Sequence, residues 1–400
     1  MKKFILSICL FSTLKLLSSE QMVLIDPYLS PYAGAANLLA ADAAVINLKD
    51  KILPPKNGEV ITRTLEQLLL WTPICSLTTV AQHEIFGHGY RLRSLGVTPH
   101  SYTVSIDGGA TYFSPGRDFE AGKMLAVDVA GLEAESILAW DLKMKWMKER
   151  GIDGKLSSLY FFSQQSLLFY TLITRSDRKN HGDLSGNDIE SYLKIHRILF
   201  PEQDLSLGSL SKWAFLNLLD PMTFYSCYAY FYYIKGGQPL MMPMLNLKED
   251  LYYLPNIKVG FAPYAPEAYF ENFILYQDLP IYFYIKGGKR SFGIGGVYDY
   301  LLFGSWGHLG FKFDLWNQGH FMSTLTMEQI ERPFPPPLPE ILSKRAFGGA
   351  LSLRGSFRFG EEKALFAEVG GKTSGYLPGY GLEKGAVVRI GLQFGLSPHH

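Results

Sequence analysis

The chain has 400 residues, 47% hydrophobic and 19% charged, and its 38 Lys and Arg against 37 Asp and Glu leave a net charge of +1. That size and apolar content can bury a sizeable interior in two or three domains. The balanced charge excludes the basic face a nucleic-acid binder needs, and the composition excludes disorder, collagen and coiled coil.

Lys2 and Lys3 precede an apolar run from Phe4 to Leu14, and Ser18 and Ser19 follow. This is the layout of a secretory signal, so residues 1–20 read as a signal peptide and the chain as exported to the cell envelope, outer membrane or periplasm. An uncleaved anchor is the alternative. Cys75 and Cys227 then remain, enough for one disulfide but not for a disulfide framework.

From about Pro27 to Leu245 the pattern is helical. Ala35 to Leu48, Thr62 to Trp71, Phe119 to Arg150, Ser157 to Thr174 and Asp188 to Phe200 repeat apolar residues at spacings of three and four. Thr72-Pro73 reads as a helix start, and that helix would run through His83 and His88 to Gly96. Ser101 to Phe113 reads as extended, either a surface hairpin or an edge strand that pairs with a substrate backbone.

The chemistry concentrates at His83-Glu84-Ile85-Phe86-Gly87-His88-Gly89. Two imidazoles around a carboxylate suit a zinc hydrolase: nitrogen ligands for the metal and a Glu to take a proton from water. Histidines five apart diverge by about 140° on a regular α-helix. A π-bulge would absorb the extra residue, and Gly87 would let the backbone form it. The third ligand is assigned to Glu133. The interval from His88 lets a second helix return antiparallel, and Gly131 and Ala134 are small enough for close approach. Glu135 points about 200° away from Glu133, so both cannot face one ion. Asp188, read as a helix N-cap, and Asp220, at a turn before Pro221, are the other candidates.

From about Leu251 the period becomes two. Leu309, Phe311, Phe313 and Leu315 alternate with polar residues or glycine, as do Leu351, Leu353, Phe357 and Phe359, and then Val388, Ile390, Leu392 and Phe394. Such alternation predicts a sheet with one apolar and one polar face, in eight or nine segments. Aromatic residues gather at strand ends, and the last segment resembles the closing strand of bacterial outer-membrane barrels. That resemblance implies a barrel of about eight strands over residues 246–400, placed in a membrane.

The HEIFGHG box resembles the HExxGH box of the dipeptidyl peptidase III family. The likeness implies that His83 and His88 bind zinc and that Glu84 is the catalytic carboxylate. In that family a Glu on a second helix, in an E-E-x-R-A-E box, is the third ligand. Here Gly131-Leu132-Glu133-Ala134-Glu135-Ser136 keeps Ala-Glu, but Gly131 stands at the ligand position. The order of motifs through Asn217-Leu218-Leu219-Asp220 also resembles site-2-type membrane metalloproteases, which implies Asp220 as a ligand. However, Glu120, Lys123, Asp128 and Asp141 are costly in lipid, and Pro73 shortens the uncharged run before His83, so a water-soluble helical domain is preferred. Ser185-Gly186-Asn187-Asp188 is similar to a stretch of FtsH-type proteases, where the Asp completes the zinc site.

The sequence therefore leads to an α+β protein: a zincin-like helical domain over 21–245 followed by an antiparallel β-barrel. Its expected function is zinc-dependent peptidase of the cell envelope, acting on a peptide or protein substrate. The alternatives are a non-enzymatic outer-membrane barrel with a structural or transport role, and an intramembrane site-2-type protease.

Overall fold

The computed structural model describes residues 20–53, 59–116, 118–180, 186–330, 332 and 337–395. Of the expected signal peptide only Glu20 falls within them. The protein is α+β, with a helical N-terminal half and a C-terminal ten-stranded antiparallel sheet.

Strand β1 (Gln21–Ile25) leads into helix α1 (Pro31–Ile52). Ser30 caps α1 by accepting from the Ala33 N–H, with Pro31 at the first helical position, where a missing N–H costs nothing. The next helix, α2, is continuous over residues 60–94. The start expected at Thr72-Pro73 is not a start. A π-helical turn at Gln67–Trp71 widens the helix just before the proline, and the Thr72 N–H bonds back to the Gln67 carbonyl. Widening that turn gives room to the carbonyls that a proline ring would strike in a regular α-helix. A second π-helical segment, Gln82–His88, follows, as the five-residue histidine spacing predicts.

A hairpin of β2 (Ser101–Ser105) and β3 (Gly108–Tyr112) comes next, and then α3 (Ala121–Asp128) and α4 (Ala130–Glu149). Helices α5 (Ser157–Asn180), α6 (Asp188–Leu199), α7 (Leu207–Ala214) and α8 (Pro221–Gly236) complete this half. Short strands β4 (Gly151–Ile152) and β5 (Leu240–Met241) pair between them. Cys75 and Cys227 are both free, so the disulfide they could have made is absent among the described residues. Within the same residues, no helix is long and apolar enough to cross a membrane.

The sheet adds β6 (Leu245–Lys248), β7 (Leu251–Ala262), β8 (Ala265–Tyr276), β9 (Leu279–Gly288), β10 (Ser291–Gly304), β11 (Gly307–Gly319), β12 (Arg345–Gly360), β13 (Lys363–Lys372) and β14 (Gly385–Phe394). The order is β1-β14-β13-β12-β11-β10-β9-β8-β7-β6. The alternating segments after Leu251 are thus all strands, but the expected barrel is not there: the sheet is open between β1 and β6. The physical reason lies at its ends, where side chains of the helical half satisfy backbone groups. The Leu24 N–H on β1 donates to Asn37 Oδ1 (2.8 Å), and Asn37 Nδ2 donates back to the Leu24 carbonyl (2.9 Å). Beyond the short β6, the Val259 N–H on β7 donates to Asn217 Oδ1 (2.6 Å). Ends met in this way do not need each other.

The sheet curls around α1 and α4. Tyr32 of α1 accepts from Lys312 on β11 (2.6 Å) and stacks under Arg389 of β14. On α4, Ser136 meets Lys258 of β7, and Trp140 packs edge-on against Tyr282 of β9. Eight strands spaced about 4.8 Å apart can reach the same two helices only by bending round them. Trp146, Tyr160, Phe273, Leu275 and Tyr282 form one core between helices and sheet.

Candidate metal centre

The π-helical segment turns His83 and His88 toward the same side, and α4 crosses it at very close range. A Cβ on Gly87 would lie 2.7 Å from the Ala130 carbonyl oxygen, and one on Gly131 would lie 2.2 Å from His83 Nε2. Glycine at both positions is what lets the helices touch; a side chain at 131 would displace the imidazole.

Each ring is held from behind. His88 Nδ1 lies 2.8 Å from the Val127 carbonyl oxygen, and His83 Nδ1 lies 3.1 Å from Glu135 Oε1. The two Nε2 atoms then meet at 3.0 Å. Asp188 Oδ2 completes the group, 3.4 Å from His83 Nε2 and 3.2 Å from His88 Nε2. These three residues are the one group among the described residues whose ligand atoms could together hold a metal ion. Asp188 is the first residue of α6, and Asn187 rather than Asp188 caps that helix, accepting from the Glu190 N–H (3.1 Å). The Asp188 carboxylate is therefore free to turn inward, where the Tyr170 hydroxyl donates to Oδ2 (3.0 Å). Its side chain keeps 20% exposure, so the centre remains open to solvent.

The electrostatics ask for positive charge. Burial alone would push both imidazoles down, but Glu135 and Asp188 hold His83 well above its ordinary value, and Asp188 raises His88. Burial would raise the Asp188 carboxyl, yet the two histidines hold it far below the usual range.

Glu84 is buried beside the rings, and its charge also favours the cationic imidazoles. Thr111 of β3 donates to Glu84 Oε2 (2.7 Å). The expected catalytic carboxylate and the two expected histidine ligands are thus together.

Glu133 is not with them. It forms a buried ion pair with Arg91 (Nη2 to both oxygens, 2.9 Å), accepts from the Tyr376 hydroxyl (2.9 Å) and is met by the Gly379 N–H. Asp220 lies in a third place. It caps α8 through the Met222 N–H and accepts from Lys143 (3.2 Å) and the Tyr160 hydroxyl. Glu135 touches the centre only through His83. The position assigned to Glu133 is taken by Asp188, the residue singled out by the Ser185-Gly186-Asn187-Asp188 resemblance, whose first residue lies outside the described set. Thr111 and Tyr170 carry no sequence signal, because tertiary packing alone brings them to Glu84 and Asp188.

No protein-family model, curated protein or solved structure matches the chain.

Proposed function

We propose that the protein is a zinc-dependent hydrolase of peptide bonds, with His83, His88 and Asp188 as metal ligands and Glu84 as the catalytic carboxylate. The observation that carries the reading is the meeting of three potential ligand atoms, His83 Nε2, His88 Nε2 and Asp188 Oδ2. A carbonyl can only accept, so His88 carries its proton on Nδ1; the Glu135 carboxylate places the proton of His83 on Nδ1 as well. In the neutral form that binds a metal, both rings turn Nε2 lone pairs inward, against each other and against Asp188 Oδ2. Such a convergence calls for a cation. Zinc with nitrogen and oxygen ligands at about 2.0–2.2 Å in a tetrahedron sets ligand atoms about 3.3 Å apart. The separations of 3.0, 3.2 and 3.4 Å agree with that, and three protein ligands leave a fourth position free.

When bound, zinc supplies a Lewis acid that polarises a carbonyl and lowers the pKa of water. Glu84 takes the proton of the attacking water and returns it to the leaving amine. Thr111 keeps that carboxylate in place, and Tyr170 fixes Asp188. The extended β2–β3 hairpin beside Glu84 supports a peptide backbone as the ligand. The leader-like pattern at residues 1–20 supports action in the cell envelope.

The test is metal analysis with a peptidase assay on quenched fluorescent peptides. The purified chain should carry about one zinc, and a chelator should abolish hydrolysis until zinc is restored. Glu84→Gln should keep the zinc and lose about 10²–10⁴-fold in rate, because an amide cannot act as the base. Zinc content unchanged in both His83→Ala and His88→Ala would overturn the proposal.

A further inference from the structure

We infer that the convex outer face of the sheet contacts the acyl chains of a phospholipid bilayer. The polarity of this sheet is the reverse of one that faces water. Its inward side chains, against the helices, are charged and paired: Lys286 with Glu267 (3.0 Å), Lys258 with Glu271 (3.0 Å) and Arg389 with Glu368 (2.9 Å). The alternate positions point outward and are apolar and exposed, as at Phe283, Ile294, Leu315, Leu353, Val369 and Ile390. From β8 through β14, outward positions between the strand ends hold no Asp, Glu, Lys or Arg; charge appears only at the ends, as at Arg345 and Lys363.

An exposed apolar face of this extent marks a contact with something other than water. Its shape selects the occupant. Because the sheet bends round α1 and α4, the outer face bulges, and a second copy or another rigid protein would touch it along a strip. Fluid hydrocarbon follows the curve. Strands of 10 to 16 residues at about 3.4 Å per residue are long enough to cross a hydrocarbon layer of about 30 Å. Backbone groups cannot be left open in lipid, and Asn37 and Asn217 satisfy three such groups, two on Leu24 of β1 and one on Val259 of β7, without the sheet closing into a barrel. The pattern is that of a lipid-facing sheet, apolar outside and polar inside. The helical half here takes the place that water occupies inside a pore.

The full chain is mixed with phosphatidylcholine vesicles and floated on a density gradient. Nitroxide labels are placed singly by Leu315→Cys, Leu353→Cys, Val369→Cys and Lys363→Cys, in a Cys9→Ser, Cys227→Ser background that keeps only the buried Cys75. The unlabelled chain should float with the vesicles. The three mid-strand labels should collide severalfold more with oxygen than with a water-soluble nickel chelate, and the label at 363 should show the reverse. Nickel reaching the mid-strand labels would overturn the inference. So would exclusion of both reagents, which would point to a second copy or a protein partner, and so would failure of the unlabelled chain to float.

Discussion

Two buried clusters sit on the same pair of crossing helices and are built on opposite terms. Around Glu133 the carboxylate meets Arg91, a tyrosine hydroxyl and a backbone N–H, so every acceptor has a donor and the charges cancel. Around His83 and His88, two imidazole nitrogens and a carboxylate oxygen meet within 3.4 Å of one another, with no Lys or Arg among them. In the first cluster the carboxylate and its counter-charge are matched. The second could hold a metal ion, and as the proposed metal site it would be completed by that cation, which is how it differs from a structural ion pair. Both contain a buried glutamate on α4, two residues apart.

The sharpest way to break the comparison is to neutralise one carboxylate in each cluster. Asp188→Asn should abolish zinc binding and with it all hydrolysis, because it removes the anionic ligand and can turn a donor toward two imidazole lone pairs. Metal content after gel filtration and the peptidase assay read both effects. If Asp188→Asn keeps its zinc, the three acceptor atoms are not the binding site.

Glu133→Gln should do the reverse. The Arg91 guanidinium would be left buried without its counter-charge, which costs about 3–5 kcal/mol when one partner of such a pair is removed. Urea denaturation should show that loss, while zinc content per folded chain stays the same. A large fall in zinc affinity without loss of stability would return Glu133 to the metal.

How much of this was legible beforehand depends on how local each determinant is. The box at residues 83–89 carries its own spacing, and the π-helical segment follows from it with Gly87 in place. That Glu133 and Glu135 could not both face one ion was also readable from helical periodicity, and they do face different partners. Which of them met an arginine depended on Arg91, one turn past His88, and on Tyr376 and Gly379, more than two hundred residues away. Nothing within α4 encodes that. In the same way, alternation revealed two unlike faces on the sheet, but not that the ends would be met by Asn37 and Asn217 instead of by each other.

The comparison extends to a second self-satisfied carboxylate, on the inner face of the sheet. Burial alone would raise the Glu368 carboxyl, but Arg389, Arg354 and Lys312 hold it at about 2. A carboxyl lowered in the folded state adds stability above its unfolded value of 4.5 and loses it as pH falls toward 2. The contribution at neutral pH is about 3 kcal/mol. Glu368→Gln should therefore lower stability at neutral pH and flatten its acid limb between about pH 5 and pH 2. An acid limb as steep as that of the parent chain would show that the three cations do not act on this carboxyl.

The smallest effect belongs to Glu135, which touches the proposed metal centre through His83 and is not one of its proposed ligands. Its Oε1 lies 3.1 Å from His83 Nδ1 and so keeps the ring proton away from Nε2. A glutamine there can still accept that hydrogen bond, but it lacks the charge that makes the imidazole a stronger donor to a metal. Groups in this position contribute about 10- to 100-fold to metal affinity, and Glu135→Gln should lie near the lower figure because the hydrogen bond survives. Competition with a chelating dye measures the affinity, and urea denaturation of the metal-free protein should show little change. The order Asp188→Asn, then Glu135→Gln, then Glu133→Gln in lost zinc affinity is what the geometry requires. If Glu135→Gln lost as much as Asp188→Asn, Glu135 would have to swing past the His83 ring to bind the ion itself, and the assignment of Asp188 as the third ligand would fall.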